Sequence, residues 1–276
     1  MIRDPAKMTC PLGSGGSLAG KALTDSRLIL IQGSVTSADD VDRAFSVAKE
    51  AIDGVVIALG GKTKDVGPTM LTDGTLNIIN SMKKANVKRV SVVTSIGAGD
   101  SESQAPLFFK ALMYTVMKGI FTDKNNQEKL FLDDVGPGHD LEWCIVRLAC
   151  NLLFPRFFFS FASMHIALKS WPLCRPGGLG EGPATGVINV IDGQAGSIQR
   201  ADVAAFCLGA ISDASFPYIR RTPCISSIGG TGWVKVKFDL SYCHQMSVNK
   251  YPICFLLLLL VPYQEPKKGF DEVNTA

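Results

Sequence analysis

Three clusters of small residues are the first sign of chemistry in this sequence. Each comes directly after a short apolar run: Gly33 and Ser34 after the first run, residues 59–61 (Leu-Gly-Gly) after the second, and residues 94–97 (Thr-Ser-Ile-Gly) after the third. Small residues let a ligand approach the backbone, although one glycine after a strand is equally explained by a tight turn. Three clusters at equivalent positions favour a shared binding crevice.

The elements that must position these clusters follow from the periodicity of the apolar residues. Four apolar runs predict strands, at 28–35, 53–61, 88–99 and 141–147. The segments between them have the spacing of amphipathic helices, at 36–52, 71–86 and 108–132. This alternation is typical of right-handed βαβ units in a parallel sheet covered by helices. Ligands bind beyond the carboxyl ends of the strands in such a sheet, which is where the clusters lie.

A fourth glycine cluster, GGSLAGK at residues 15–21, matches the spacing of a phosphate-binding loop. Such a loop needs a strand before it, a helix after it and a hydroxyl residue for magnesium. Ala22 stands at the hydroxyl position, and the residues before Gly15 do not have the pattern of a strand. The sequence therefore favours an ordinary flexible loop here.

Composition limits the classes of protein that this chain can belong to. It has 276 residues, 46% of them hydrophobic and 19% charged, which is enough for the core of one domain of moderate size. The net charge of +3 indicates neither a nucleic-acid nor a membrane partner. The eight cysteines form no CxxC pair and no metal-ligand spacing with the three histidines, so no metal site is predicted. Without an apolar secretory signal at the start, we expect a reduced, cytoplasmic protein with a small-molecule substrate and an open oligomeric state.

Seven stretches of the chain resemble one known family. They are RDPAKM, DGVVIALGG, GTLNIINSMKKANVKRV, VVTSIGAGDS, DKNNQEKLF, CRPGGLGEGPATG and SIQRADVAAFCLGAI. The family is the NAD(P)H-binding group of atypical short-chain dehydrogenases that includes biliverdin-IXβ and flavin reductases and is NmrA-like. The resemblance implies an α/β fold, with a Rossmann-like parallel sheet and helices on both faces. It also implies NADP as the cofactor, with NAD as the weaker option.

The resemblance assigns cofactor-binding roles to residues at the strand ends. Arg3 stands where the family has an arginine that contacts the 2'-phosphate of NADP, and a guanidinium suits a phosphate dianion; a solvated arginine near the terminus is the alternative. Gly33 and Ser34 stand at the adenine, where the family usually has Gly-Asp. The turn that admits the cofactor and the hydroxyl pair near the nicotinamide correspond to Leu59, Gly60, Gly61, Thr94 and Ser95.

The catalytic residues implied by the resemblance leave alternatives open. Ser95 either orients the substrate or caps its strand. Related dehydrogenases use a tyrosine and a lysine four residues later, because one helical turn places both on one face and the ammonium lowers the pKa of the phenol. Tyr114 and Lys118 have this spacing, whereas a second alignment places Lys124 at the lysine position and Ile120 at that of the tyrosine. The reductases of the family lack the tyrosine, since the cofactor itself donates hydride, and a structural role for Tyr114 is favoured.

Two features depart from the family pattern. Relative to the family, the chain begins at the end of the second strand, so the first βα unit and its glycine-rich turn are missing. Residues 148–174 separate the core at 1–147 from its continuation at 175–235 and are interpreted as an insertion. The tail at 236–276 is not placed, and its apolar run at 255–261 is too short to span a membrane and favours a buried helix or an aggregation-prone tail.

Three functional hypotheses follow. The first is an NAD(P)H-dependent oxidoreductase that transfers hydride to a small conjugated acceptor of the flavin, quinone or tetrapyrrole type, in a form impaired by the missing unit. The second is a non-catalytic NADP-binding sensor or scaffold. The third is an inactive, truncated gene product.

Overall fold

The computed structural model describes residues 8–25, 28–47, 51–60, 67–148, 179–193 and 196–227, and the backbone of two strands at 233–236 and 255–259. Arg3, Gly61 and nearly all of the predicted insertion at 148–174 lie outside these residues. The described part contains a seven-stranded sheet with helices on both faces and a separate two-stranded ladder.

Five α-helices lie in the described residues. They are α1 (Ala38–Ser46), α2 (Met70–Lys84), α3 (Leu107–Tyr114), α4 (Lys118–Leu132) and α5 (Arg200–Ser212). The start of α1 is capped as the sequence predicts, because the Ser37 side chain accepts a hydrogen bond from the Asp40 amide. Shortly after α2, Asn86 adopts a φ of 55°, the left-handed conformation that often ends a helix. No helix in this part of the chain is long and apolar enough to cross a membrane.

Nine strands are described, seven of them in the main sheet. They are β1 (Gly54–Ala58), β2 (Arg89–Ser95), β3 (Glu142–Leu148), β4 (Leu179–Gly180), β5 (Ile188–Ile191), β6 (Ile198–Gln199), β7 (Cys224–Ser226), β8 (Trp233–Val236) and β9 (Phe255–Leu259). The main sheet has the order β8-β5-β7-β3-β2-β1-β9, and β4 pairs with β6.

The centre of the main sheet is parallel. Val55 of β1 lies opposite Val90 of β2, and Val92 of β2 lies opposite Ile145 of β3. The strands β7 and β9 are also parallel to their neighbours β3 and β1, while β5 is antiparallel to both β7 and β8. The predicted α/β fold with a mostly parallel, helix-covered sheet is therefore confirmed, with strands where the sequence predicts them at 53–61, 88–99 and 141–147.

The core has one layer on each face of this sheet. Alternate residues of a strand point to opposite faces, so Val55 and Ile57 pack with α1, α2 and α4, whereas Val56 packs with α5. The buried strands of the centre are apolar on both faces because helices cover both. This packing holds the carboxyl ends of the central strands at one edge of the sheet.

Residues 28–35 do not form the strand that the sequence predicts. The segment is irregular apart from a single bridge residue at Gln32; Ile31 packs against the core and Ile29 is exposed. An apolar run becomes a strand only where the edge of a neighbouring strand is free to pair. The edge of β1 that faces away from β2 is already paired with β9.

The apolar run in the C-terminal tail forms a strand, which corrects the expectation of a buried helix or an aggregation-prone tail. Residues Phe255–Leu259 pair in parallel with Gly54–Ala58, one residue for each residue of β1. A strand at the edge of β1 gives partners to the backbone groups that an open edge would leave to other chains. Part of the tail therefore belongs to the sheet.

A chain shortened to end at residue 254 should self-associate and melt at a temperature lower by about 5 °C or more, because the edge of β1 is then open. Light scattering and a thermal melt measure both effects. A chain that ends at residue 261 keeps β9 and is the control. Equal behaviour of the two shortened chains would show that β9 does not protect this edge.

Candidate functional site

The three small-residue clusters lie at the carboxyl edge of the sheet. Leu59 and Gly60 follow β1, and residues 96–97 follow β2, its parallel neighbour. The remaining cluster, Gly33 and Ser34, lies close to the turn after β1. Its neighbour Val35 and the turn residue Leu59 both pack against Gly74 of α2, where an added Cβ would lie 2.8 Å from Val35 Cγ2 and 3.3 Å from Leu59 Cδ1. The edge is thus a shared surface of the kind on which such sheets bind ligands.

A buried ion pair joins the end of β3 to α4 below this edge. Arg147 is 2% exposed and Glu128 is 1% exposed. Arg147 Nη2 donates to Glu128 Oε2 at 2.7 Å, and Nε donates to Oε1 at 3.2 Å. Desolvation alone would lower the pKa of Arg147, but its hydrogen bonds and charge interactions with Glu128 and Asp100 outweigh it and raise that pKa. Arg147 therefore stays charged at physiological pH.

Thr94 belongs to this buried pair rather than to the open edge. It lies opposite Arg147 in the register of β2 and β3. Its hydroxyl donates to Glu128 Oε1 at 2.7 Å, and the residue is 3% exposed. The predicted contact of Thr94 with a cofactor is untested, and the hydroxyl that would make it already has a partner inside the protein.

The turn after β2 is folded tightly against the same ion pair. Gly99 has a φ of 55°, and a Cβ there would lie 2.7 Å from Arg147 Nη2. Gly97 has a φ of 91°, and its Cβ would lie 2.6 Å from the sulfur of Met113. Both glycines are required by their conformation and by internal packing, which is the tight-turn explanation for these two positions.

Ser95 is the hydroxyl residue that remains at the edge. It is half-buried, and its Oγ donates to the Ile96 carbonyl at 3.1 Å. This is a local bond within the turn, so the hydroxyl is not tied to another element in the described residues. In the neighbouring turn after β1, Leu59 is buried in the core and Gly60 is partly exposed.

Tyr114 and Lys118 do not share one helix. Tyr114 ends α3 and Lys118 begins α4, because residues 115–117 divide the helix predicted at 108–132. Tyr114 is 59% exposed, and its hydroxyl donates to the carboxylate of Glu102. That bond and the negative charge raise the pKa of Tyr114, the opposite of what an adjacent lysine does. The reason for pairing these two residues fails, and their catalytic role stays an untested prediction.

Lys124 lies within α4, one helical turn before Glu128. It is partly exposed. Its predicted role as the alternative lysine is likewise untested.

Carboxylates occupy the helix starts near this edge. Asp123 of α4 accepts hydrogen bonds from the amides of Leu71 at 2.9 Å and Thr72 at 3.0 Å, in the first turn of α2. At α1, Asp40 accepts from the Ser34 amide at 2.9 Å. This bond, reinforced by Arg43, lowers the pKa of Asp40, so its carboxylate is charged. Both helix starts thus already hold an internal anion.

Sequence reasoning missed the buried polar residues of α4 and β3, namely Asp123, Glu128 and Arg147. One signal for them exists in the sequence. Glu128 lies seven residues after Phe121 and three before Phe131, both buried, so it occupies a position on the apolar face of α4. A charged residue at such a position needs a buried partner.

Comparison with known proteins finds one family model that matches part of the chain. Residues 17–150 match the model of a family described as NAD(P)H-binding. The resemblance predicted from the sequence is confirmed at this level, and the matched segment contains β1, β2, β3 and the edge described above. No curated protein sequence matches the chain.

Solved structures are similar to the chain in fold. The oxidoreductase ylbE from Lactococcus lactis has a TM-score of 0.51 at 16% identity, over 76% of this chain and 76% of its own. A short-chain dehydrogenase/reductase from Veillonella parvula in complex with NADP has a TM-score of 0.49 at 14% identity, over 80% of this chain and 82% of its own. ChuY, an anaerobillin reductase from Escherichia coli, has a TM-score of 0.46 at 22% identity, over 71% and 74%. The first of these supports the Rossmann-like fold.

In the segment that matches the NAD(P)H-binding family model, the described residues leave space at the carboxyl edge for one end of a dinucleotide. Gly60 has no side chain to block this edge, and Ser95 presents a hydroxyl there. Ligands bind at this edge in sheets of this kind. A pyrophosphate needs unpaired N–H groups at a helix start. At the start of α2 the amides of Leu71 and Thr72 donate to Asp123 instead, and the first turn of α1 carries the carboxylate of Asp40. Donors for the phosphates would therefore have to come from other residues.

Metal binding finds no support in the part of the chain that the structure describes. No group of three or more histidine, cysteine, aspartate or glutamate side chains there is placed to hold a metal ion.

Replacing Glu128 with glutamine should lower the free energy of unfolding by about 3–5 kcal/mol, because it removes the buried carboxylate that pairs with Arg147 and leaves that guanidinium only the exposed carboxylate of Asp100. Urea denaturation measures the change. The control is Glu142→Gln: this carboxylate pairs with Arg89 at 2.8 Å but is 48% exposed. The control should lose about 1 kcal/mol or less. Equal losses in the two variants would contradict the central role of the Glu128–Arg147 pair.

The phenol of Tyr114 should ionise above the ordinary tyrosine pKa of about 10, because the carboxylate of Glu102 opposes the phenolate. Its contribution to stability is then present below that pKa and is lost as the pH rises through the raised value. Ultraviolet absorbance titration of the wild-type protein minus Tyr114→Phe isolates this phenol. Glu102→Gln should move the midpoint back toward the ordinary value. A midpoint below 10 in the wild-type protein would contradict the contact and favour a lysine partner.

Proposed function

We propose that this protein binds a nicotinamide dinucleotide along the carboxyl edge of its sheet and reduces a small conjugated acceptor of the flavin, quinone or tetrapyrrole type. The observation that carries the proposal is the position of the small-residue turns after β1 and β2 at one parallel edge, inside the segment that matches the NAD(P)H-binding family. We expect NADPH to be preferred over NADH, through Arg3, whose guanidinium suits the 2'-phosphate.

The chain's own contribution in this proposal is binding and orientation. A bound nicotinamide supplies the hydride. Gly60 leaves the backbone open to the cofactor, and the Ser95 hydroxyl orients the acceptor or the carboxamide at the end of β2. Tyr114 is not needed as a proton donor in such a reaction, in keeping with its raised pKa and its bond to Glu102.

The expected setting is a reduced, cytoplasmic one, with a small molecule as substrate and neither nucleic acid nor membrane as partner. The free and buried thiols of Cys10, Cys144, Cys207 and Cys224 support a reduced compartment. Burial raises the pKa of Cys207 to about 11, so this thiol stays protonated and unreactive.

A second candidate function is a sensor or scaffold that binds the dinucleotide without turning it over. Two observations favour it. Tyr114 and Lys118 lie on separate helices, and the hydroxyl of Thr94 is held by Glu128. Neither arrangement provides the tyrosine–lysine pair or the free threonine hydroxyl that the related dehydrogenases would use at this edge.

Titration with NADPH up to about 1 mM, followed by its fluorescence and by the melting temperature, tests the binding step. No change in either would reject both candidates. NADPH oxidation in the presence of FMN or menadione then separates them: turnover supports the reductase, and binding without turnover supports the sensor.

Ser95→Ala should lower kcat/KM for the acceptor by about tenfold or more, since it removes the orienting hydroxyl. Ser103→Ala is the control, because Ser103 is an exposed serine of the same turn. Equal activity of the two variants would remove Ser95 from the proposed mechanism.

A further inference from the structure

We propose that Asp100 is a positioning residue, whose ion pair with Arg147 fixes the turn at 96–104 over the end of β2 and so holds Ser95 in place. The inference rests on the proposed function, because it assigns Asp100 a part in presenting the acceptor. Arg147 provides a fixed point under the turn.

The guanidinium of Arg147 is held in one orientation, because two of its three nitrogens donate to Glu128. Nε and Nη2 donate to the two oxygens of Glu128, and both residues are buried. A bidentate pair of this kind sets the plane of the guanidinium. The third nitrogen, Nη1, is directed at the turn, where it donates to Asp100 Oδ1 at 2.5 Å.

Asp100 is not needed to neutralise the buried charge. Glu128 already balances the charge of Arg147, and the side chain of Asp100 is 84% exposed. An ion pair with an exposed partner adds little to overall stability. The contact between Asp100 and Arg147 therefore acts mainly on the turn, by attaching its exposed segment to a rigid point.

Other bonds of the turn carry this attachment to Ser95. The Ala98 amide donates to the Ser95 carbonyl at 3.1 Å, and the Ile96 amide donates to the Leu148 carbonyl at 3.0 Å. Within the turn, the Gly97 amide donates to the Ser101 hydroxyl at 3.0 Å. A displacement of Asp100 would thus pass through Gly99 and Ala98 to the backbone of Ser95.

A second attachment of the turn, this one to α4, limits how far the turn opens without Asp100. The Gly99 amide donates to Asn125 Oδ1 at 2.9 Å. Loss of Asp100 should consequently loosen the turn without unfolding it. This separates a positioning role from a role in overall stability.

Hydrogen exchange of the full chain tests the attachment directly. In Asp100→Ala, backbone amides of residues 96–104 should exchange about tenfold faster, while those of β1, β2 and β3 keep their wild-type rates. Asp134→Ala, which removes an exposed carboxylate after α4, is the control and should change neither. Unchanged exchange at 96–104 would overturn the proposal, and so would faster exchange across the whole sheet.

The kinetic arm tests the link to the site. Asp100→Ala should raise KM for the acceptor and lower kcat, while the Kd for NADPH stays within about twofold, and Asp100→Glu should recover most of the activity because it keeps the charge. Wild-type KM and kcat in Asp100→Ala would overturn the positioning role. A wild-type protein that binds no NADPH would instead reject the proposed function, and the exchange experiment would still decide whether Asp100 fixes the turn.

Discussion

Two buried charges, on Glu128 and Arg147, tie together the elements that form the carboxyl edge of this sheet. Each would be strongly disfavoured in the interior alone, so α4 and the end of β3 must meet where the carboxylate and the guanidinium coincide. Thr94 brings the end of β2 to the same place, and Gly99 leaves the space that the guanidinium needs. The geometry of the candidate site therefore follows from the pairing of one glutamate with one arginine.

The family model that residues 17–150 match describes NAD(P)H binding, but the helix starts within these residues carry carboxylates. Dinucleotide-binding sheets commonly offer helix amides to phosphate, yet Asp123 already accepts from the amides at the start of α2, and Asp40 in the first turn of α1 accepts from the Ser34 amide just before that helix. These carboxylates stabilise the helices in the absence of any ligand. The same interaction that supports the fold therefore leaves fewer donors for a phosphate at this edge.

Much of the fold could be predicted because its signals are local. The apolar runs that became β1, β2 and β3, the cap at Ser37 and the end of α2 near Asn86 all depend on residues close together in the chain. The predictions failed where a distant partner decided the outcome. The segment at 28–35 has the pattern of a strand, but β9 occupies the edge of β1. The apolar run at 255–259 pairs with that edge from about 200 residues away in the chain. The pairing of Tyr114 with Lys118 failed because the helix breaks between them.

The sequence by itself determined the alternation of strands and helices, the family resemblance and the small-residue turns after the strands, since periodicity and side-chain size are properties of neighbouring residues. Only the tertiary structure decided what those turns do: that Gly97 and Gly99 serve internal packing, that the hydroxyl of Thr94 is turned inward, and that Ser95 remains at the edge. The physical reason is that burial and charge pairing depend on which surfaces meet. The pattern of a single helix, such as the one that contains Glu128, does not contain that information.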